Sequence, residues 1–137
     1  MGARRRGREA VLKILYSMDL NPGPTEELCE RVLEWGQIPV DSRPFVMELV
    51  DGTLGRLDVI DGLIKAASLK WEIHRMAAVD RNVLRLAVSE LTSGTGIPVR
   101  VILDEAIELA KKYGGDESGT FVNGILDRVR LDLEMDS

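Results

Sequence analysis

Cysteine and histidine are nearly absent from this sequence, which contains only Cys29 and His74 among its 137 residues. A single cysteine cannot form a disulfide within the chain, and no Cys/His spacing suits a zinc site. No EF-hand pattern of acidic residues occurs either. We therefore expect no metal site and no internal disulfide, and the cysteine content favours a cytoplasmic protein.

Long apolar segments are also missing. No apolar run approaches the roughly 18 residues needed to cross a bilayer, and the basic start from Met1 to Arg6 lacks the apolar stretch of a signal peptide. Hydrophobic residues make up 45% and charged residues 30% of the chain, as in soluble globular proteins. Because 137 residues can bury a core without disulfides or metals, we expect one domain spanning residues 1–137.

Recognisable catalytic motifs are absent as well. A serine nucleophile needs a base and an orienting group, and the sequence nominates neither. The glycine-rich stretch 114–120 lacks the lysine of a phosphate-binding P-loop, and a predicted helix precedes it instead of a strand. We therefore expect no catalytic residue, no cofactor and no enzymatic activity.

The apolar residues that are present recur at helical spacing, and no segment shows convincing alternation with a period of two. Proline and glycine interrupt this pattern at 21–24, 36–39, 94–98 and 113–115. These interruptions predict an all-α protein with about six or seven helices. The segment from 41 to 69 contains three glycines, so it fits either one bent helix or two short ones.

The first predicted helix runs from near Arg4 to Leu20. Its core face carries Ala10, Val11, Ile14, Leu15 and Met18. The opposite half carries Arg5, Arg6, Lys13 and Tyr16, while Arg4 and Arg8 lie at the edge of the apolar stripe. We therefore expect the first turn to project beyond the core.

We expect three specific features in the later helices. Asp80 is a good N-cap for a central helix, and Glu90 falls inside the apolar arc of that helix, so its carboxylate should be tied to a backbone or basic group. Tyr113 is predicted to face the core at the end of the next helix. The last helix is predicted to follow Ser118.

Charge is distributed unevenly along the chain. Residues 1–13 contain four arginines, one lysine and one glutamate, a balance of +4, so the other 124 residues sum to −9 against the total of −5. A basic end on an acidic body concentrates attraction for phosphates at one place. The alternative interpretation is a solubilising tail.

The arginine cluster shares its helix with Tyr16. Arginine presents a planar fork to phosphates and a flat face to bases, and an exposed tyrosine beside it can stack a base of single-stranded RNA. Tyr16 could instead pack at the rim of its helix. The residues therefore indicate RNA binding without settling it.

Four separated motifs resemble the NusB family of transcription antitermination factors. The first is Arg4-Arg-Arg-Gly-Arg-Glu9 followed by Leu12 and Leu15-Tyr16, and the second is Val79-Asp-Arg81 with Leu84-Arg-Leu-Ala87 and Glu90-Leu91. The third is Pro98 with Asp104-Glu-Ala-Ile-Glu-Leu-Ala-Lys111, and the fourth is Ser118 with Phe121-Val-Asn-Gly-Ile-Leu-Asp127. Their order and register extend the resemblance from Arg4 to about Arg128.

The resemblance implies two small packed helical bundles and a binding role. NusB proteins pair with NusE, a ribosomal protein, and bind the boxA element of nascent RNA, chiefly on ribosomal RNA operons. The complex joins the RNA polymerase elongation complex with other Nus factors and suppresses premature termination. The positions that correspond to RNA contacts are Arg4, Arg5, Arg6, Arg8, Tyr16, Glu117, Ser118 and Phe121.

Two features of the resemblance leave questions open. Helical phase also makes Phe121 a core residue, and Gly119 and Thr120 stand where many family members carry a basic residue. The sequence does not decide between a monomer and a homodimer. A dimer could cover the arginine-rich surface until NusE or RNA displaces it.

Three other functions compete with this interpretation. A helical adaptor that binds only proteins would tolerate charge reversal at the N-terminus. A ribosomal RNA cytosine methyltransferase can begin with a NusB-like domain, but it needs a following catalytic domain. A helix-turn-helix DNA regulator is disfavoured because the basic residues lie at a terminus and not on a recognition helix.

Overall fold

The computed structural model describes residues 2–23, 25–69 and 71–135. Within these ranges the chain forms seven α-helices and two short 3₁₀ turns, and it contains no strand. The helices are α1 Ala3–Leu20, α2 Thr25–Trp35, α3 Arg43–Gly55, α4 Leu57–Ala67, α5 Ala78–Thr92, α6 Val99–Gly114 and α7 Asp116–Asp132. The prediction of an all-α protein with six or seven helices is confirmed.

The segment from 41 to 69 forms two helices. The break between α3 and α4 lies at Arg56, whose backbone leaves the helical region with φ −125° and ψ 26°. The Arg56 guanidinium donates hydrogen bonds to the Thr92 hydroxyl at 2.8 Å and to the Ser89 carbonyl at 3.1 Å. These hydrogen bonds connect the break between α3 and α4 to the end of α5.

Helix α5 is the central helix, because nearly its whole circumference is buried. The predicted N-cap is wrong, however: α5 begins at Ala78, and Asp80 lies in its first turn with 8% of its surface exposed. The Ala77 carbonyl already accepts a hydrogen bond from the Arg81 backbone N–H at 2.9 Å, so the helix starts before Asp80. An aspartate in the first turn still interacts favourably with the helix dipole.

Helix α7 begins earlier than the sequence predicts. Gly115 alone separates α6 from α7, and it adopts φ +94°, a region that glycine enters without steric cost. The predicted loop position of Glu117 and Ser118 is therefore wrong, because both residues lie in the first turn of α7.

The helices form two groups around one continuous core. Helices α1, α2 and α3 pack together, α4 to α7 form the second group, and α1 and α3 contact α5. The contact between α1 and α3 is close, because a side chain added at Gly7 would place its Cβ 3.1 Å from the Phe45 ring. This arrangement places α1 against α3 and α5, and ion pairs between side chains connect it to α6. No helix in the described ranges is long and apolar enough to span a membrane.

Candidate RNA interface

Helix α1 presents two faces, as its apolar spacing predicts. Ala10, Val11, Ile14 and Leu15 are at most 3% exposed and pack in the core. The opposite face exposes Arg5, Lys13 and Tyr16, and Tyr16 has 36% of its surface exposed. This face is the starting point for a candidate RNA surface.

Arg8 departs from the expected arrangement. It is 3% exposed, and its guanidinium donates to both carboxylate oxygens of Glu90, at 2.7 and 2.9 Å. The expected tie of Glu90 to a basic group is thus confirmed. Because Arg8 is buried and bonded to Glu90 through Nε and Nη2, its contacts give it a structural role between α1 and α5. The RNA contact expected of Arg8 from the sequence stays a prediction.

Arg5 lies on the exposed face but already has a partner. Its Nε and Nη2 atoms donate to the two oxygens of Glu105 on α6, at 2.9 and 2.8 Å. The hydrogen bond and the charge of Arg5 lower the pKa of Glu105, although partial burial opposes this effect. Arg5 is therefore a fixed cation at the surface, with 43% of its side chain exposed.

Arg4 and Arg6 are held in two other ways. The Arg4 guanidinium lies 5.5 Å from the centroid of the Phe45 ring, a geometry typical of cation–π contacts. Arg6 is half-buried, and it donates to the backbone carbonyl of Gly36 at 3.3 Å and to that of Gln37. Neither guanidinium is neutralised by these contacts, so both keep their positive charge for an anionic ligand.

The end of α6 adds two residues that sequence reasoning did not include in the site. Tyr113 was expected in the core, yet 36% of its surface is exposed. Its hydroxyl donates to Glu9 at 3.2 Å, and Lys112 forms an ion pair with the same carboxylate. The Lys112 ammonium also lies 5.6 Å from the centroid of the Tyr113 ring. The sequence signal for the exposure of Tyr113 is its position directly before Gly114, because side chains at the end of a helix often lie at the surface.

The exposed tyrosines of α1 and α6 line a groove of about 200 Å³. Its lining consists of Leu12, Lys13, Tyr16, Ser17, Val79 and Tyr113. Burial raises the pKa of the Tyr113 hydroxyl, and the nearby Glu9 carboxylate raises it further. The phenol is therefore neutral at physiological pH.

The residues predicted at the start of α7 lie in different environments. Glu117 is exposed, and the Ser118 hydroxyl donates to the Gly114 carbonyl at 3.2 Å. Phe121 is half-buried and packs edge-to-face on Trp71, with ring centroids 5.9 Å apart. Ser118 thus contacts the end of α6 at Gly114, whereas Phe121 contacts the segment that follows α4.

Metal binding has no support in the described part of the chain. It contains no group of three or more histidine, cysteine, aspartate or glutamate side chains that could hold a metal ion.

A family model described as the NusB family matches residues 5–130. The chain belongs to the NusB family. Transcription antitermination protein NusB of Sorangium cellulosum (strain So ce56) is 44% identical over 135 residues, which cover 97% of this chain and 95% of that protein. The resemblance inferred from the four motifs is confirmed.

Solved NusB structures share the fold. A structure of T. maritima NusB superimposes with a TM-score of 0.87 at 41% identity, covering 94% of this chain and 91% of that one. A structure of antitermination factors NusB and NusE in complex with dsRNA gives a TM-score of 0.87 at 30% identity, covering 95% and 97%. The NusB fold has therefore been seen bound to RNA in a relative.

The departure from the NusB pattern at 119 and 120 has a structural counterpart here. A Cβ built at Gly119 would lie 2.6 Å from Cγ of Lys111. The aliphatic part of the Lys111 side chain therefore occupies the space that a side chain at position 119 would need. Thr120 is exposed. Position 120 can therefore accept a basic side chain directly, whereas position 119 cannot do so unless Lys111 moves.

Proposed function

We propose that this protein is a transcription antitermination factor. Together with NusE, it binds boxA-type single-stranded RNA in nascent transcripts, chiefly those of ribosomal RNA operons, and helps RNA polymerase resist premature termination. The observation that carries the proposal is the exposed face of α1, where Arg5, Lys13 and Tyr16 lie together in a chain of the NusB family.

The proposed RNA surface consists of Arg4, Arg5, Arg6 and Tyr16, with Glu117 and Ser118 at its edge near the start of α7. The arginines would bind phosphates and Tyr16 would stack a base. Phe121, which is half-buried, would contribute at the far side of this surface.

Arg8 supports this surface from beneath. It lies two residues after Arg6, and its ion pair with Glu90 fixes the first turns of α1 against α5. Its contribution to RNA binding is therefore positioning, and its own guanidinium remains with Glu90.

The protein's partners follow from the same proposal. A NusB relative has been solved with NusE and dsRNA, and we extend this to NusE, the RNA polymerase elongation complex and other Nus factors here. The protein acts by binding, as one domain over residues 1–137 in the cytoplasm, without a catalytic step. A monomer presents the surface directly, and a homodimer that covers α1 would have to open.

RNA binding across a salt series tests the proposal. A boxA-type single strand, a scrambled strand and a duplex of the boxA sequence would each be titrated with and without NusE. For single strands, log K falls with log salt with a slope of about −0.7 per phosphate neutralised. We expect tighter binding to the boxA strand, a further gain with NusE, and a shallower slope for Arg5→Gln plus Arg6→Gln.

The matched control removes two charges elsewhere, with Lys65→Gln on α4 and Arg128→Gln on α7, both exposed. This variant should keep the wild-type affinity and slope. Equal, weak binding of the wild-type protein to all three RNAs, even with NusE, would overturn the proposal and favour a helical adaptor that binds only proteins.

A further inference from the structure

Two exposed tyrosines from two different helices line the same groove. Tyr16 comes from the exposed face of α1 and Tyr113 from the end of α6, and each has 36% of its surface exposed. Leu12 and Val79 supply apolar surface between them. Lys13, also in the lining, is exposed and brings a positive charge to the groove.

The Tyr113 side chain is held in place before any ligand arrives. Its hydroxyl is bonded to Glu9 at 3.2 Å, and Glu9 is in turn paired with Lys112. Glu9 itself is 9% exposed and belongs to α1, so the ring is fastened to the helix that carries Tyr16. A ring fixed in this way loses little conformational freedom when a ligand packs against it.

We propose that this groove holds one unstacked base of single-stranded RNA, and that Tyr113 is an RNA-contacting residue together with Tyr16. The inference rests on the proposed function and assigns a position within its surface. The base would lie between the two tyrosines over Leu12 and Val79, while Lys13 and Lys112 attract the flanking phosphates.

The chemistry of the lining favours a base over the other parts of an RNA strand. Aromatic and aliphatic side chains dominate the lining, and such surfaces bind the faces of bases through stacking. A phosphate would instead meet the guanidinium groups of Arg4, Arg5 and Arg6 further towards the start of α1. The groove therefore continues the arginine surface along the same helix and adds a different kind of contact.

Substitution of Tyr113 tests the inference on the full chain. Tyr113→Leu keeps an apolar side chain but removes the ring, and we expect binding to the boxA-type single strand to weaken about 5- to 150-fold, the range for loss of one stacked base. Tyr113→Phe keeps the ring and loses only the bond to Glu9, so its loss should be smaller. Trp35→Leu removes an aromatic side chain that is 80% exposed on α2, and it should leave affinity unchanged.

An abasic scan identifies the base and separates stacking from an indirect effect. Each nucleotide of the boxA-type strand would be made abasic in turn, and every RNA would be titrated with the wild-type protein and with Tyr113→Leu. If the groove holds a base, Tyr113→Leu weakens binding to the intact RNA but causes little further loss with the RNA that lacks that one base. The same abasic position should mask the effect of Tyr16→Leu.

Two results would overturn the inference. One is wild-type affinity for Tyr113→Leu while Arg5→Gln plus Arg6→Gln still weakens binding, which would leave the proposed function intact. The other is an equal loss with the intact RNA and every abasic RNA, which would place the effect in the Glu9–Lys112 ion pair. If the wild-type protein prefers none of the RNAs, the proposed function itself fails, and the inference fails with it.

Discussion

Four arginines within five positions occupy four different environments. Arg4 lies against the Phe45 ring, Arg5 is paired with Glu105, Arg6 bonds to backbone carbonyls, and Arg8 is buried with Glu90. Helical phase separates them, because each residue advances about 100° around the helix. Identical side chains thus divide into three that a phosphate can approach and one that holds α1 to the core.

The buried Arg8–Glu90 ion pair should contribute to the stability of the fold. The two side chains are 4% and 2% exposed, and removing one partner of such a pair leaves a buried charge without compensation. We expect Glu90→Ala to lower the free energy of unfolding by about 3–5 kcal/mol, measured by urea denaturation at pH 7.

The double variant Arg8→Met plus Glu90→Leu is the control for this prediction. It replaces both charges with apolar side chains, so it should be clearly more stable than Glu90→Ala, because neither charge remains buried alone. The prediction would be wrong if Glu90→Ala unfolded at the wild-type urea concentration.

At the level of whole helices, the spacing of apolar residues predicts which face is buried better than it predicts where a helix begins and ends. The wheel of α1 correctly placed four core residues and the exposed Arg5 and Tyr16, while Met18, also predicted in the core, is half-buried. The all-round apolar pattern of α5 identified the central helix. The ends depend on tertiary packing and turn geometry. The N-cap expected at Asp80 and the start expected after Ser118 were therefore both wrong.

The residues of the candidate site likewise differ in how well local spacing predicts them. The α1 residues could be proposed from sequence because one helix wheel places them together. Tyr113 could not, because its exposure depends on where α6 ends and on a hydroxyl bond to Glu9, 104 positions away in the chain. Contacts between distant segments have no signature in local spacing.

A positive charge added near the start of α7 should strengthen RNA binding. Thr120 is exposed one turn after Glu117, and many NusB proteins carry a basic residue in this neighbourhood. We expect Thr120→Lys to tighten binding to a boxA-type single strand about 2- to 10-fold, because one more phosphate contact is gained, and to steepen the salt dependence by about 0.7. Fluorescence anisotropy across a salt series measures both quantities.

Thr120→Gln is the matched control, since it adds a long polar side chain without charge. It should bind RNA as the wild-type protein does. An equal gain for glutamine and lysine would mean that charge at this position is not responsible, and no gain for lysine would place position 120 outside the RNA surface.

Across the whole molecule, four carboxylates connect α1 to the second group of helices, and one of them is Glu9, which pairs with Lys112. Glu90 pairs with Arg8, Glu105 pairs with Arg5, and Asp19 accepts hydrogen bonds from Arg81 at 2.7 Å and from Asn82 at 3.0 Å. The pairs made by Arg5 and Arg8 also neutralise part of the basic end, so the +4 counted over residues 1–13 overstates its free charge. The acidic residues of the body thus hold in place the helix that carries the proposed RNA surface.

Acid should therefore loosen the attachment of α1. Burial alone would raise the pKa of Asp19, but hydrogen bonds and charge from Arg81, Asn82 and Arg85 lower it below its ordinary value of 3.8. Arg5 likewise lowers the pKa of Glu105 below 4.5. Because the unfolded chain takes up these protons first, stability is fully present above the ordinary values and is lost as pH falls through the folded values.

Urea denaturation from pH 7 to pH 3 measures this dependence. Asp19→Asn should cost about 1–3 kcal/mol at pH 7, because charged hydrogen bonds are lost, and its stability should fall less steeply below about pH 4.5 than that of the wild-type protein. Asp104→Asn is the control, since the side chains of Asp104 and its partner Arg100 are more than half exposed and such pairs contribute little. Identical slopes for Asp19→Asn and the wild-type protein would show that Asp19 does not couple the attachment of α1 to pH.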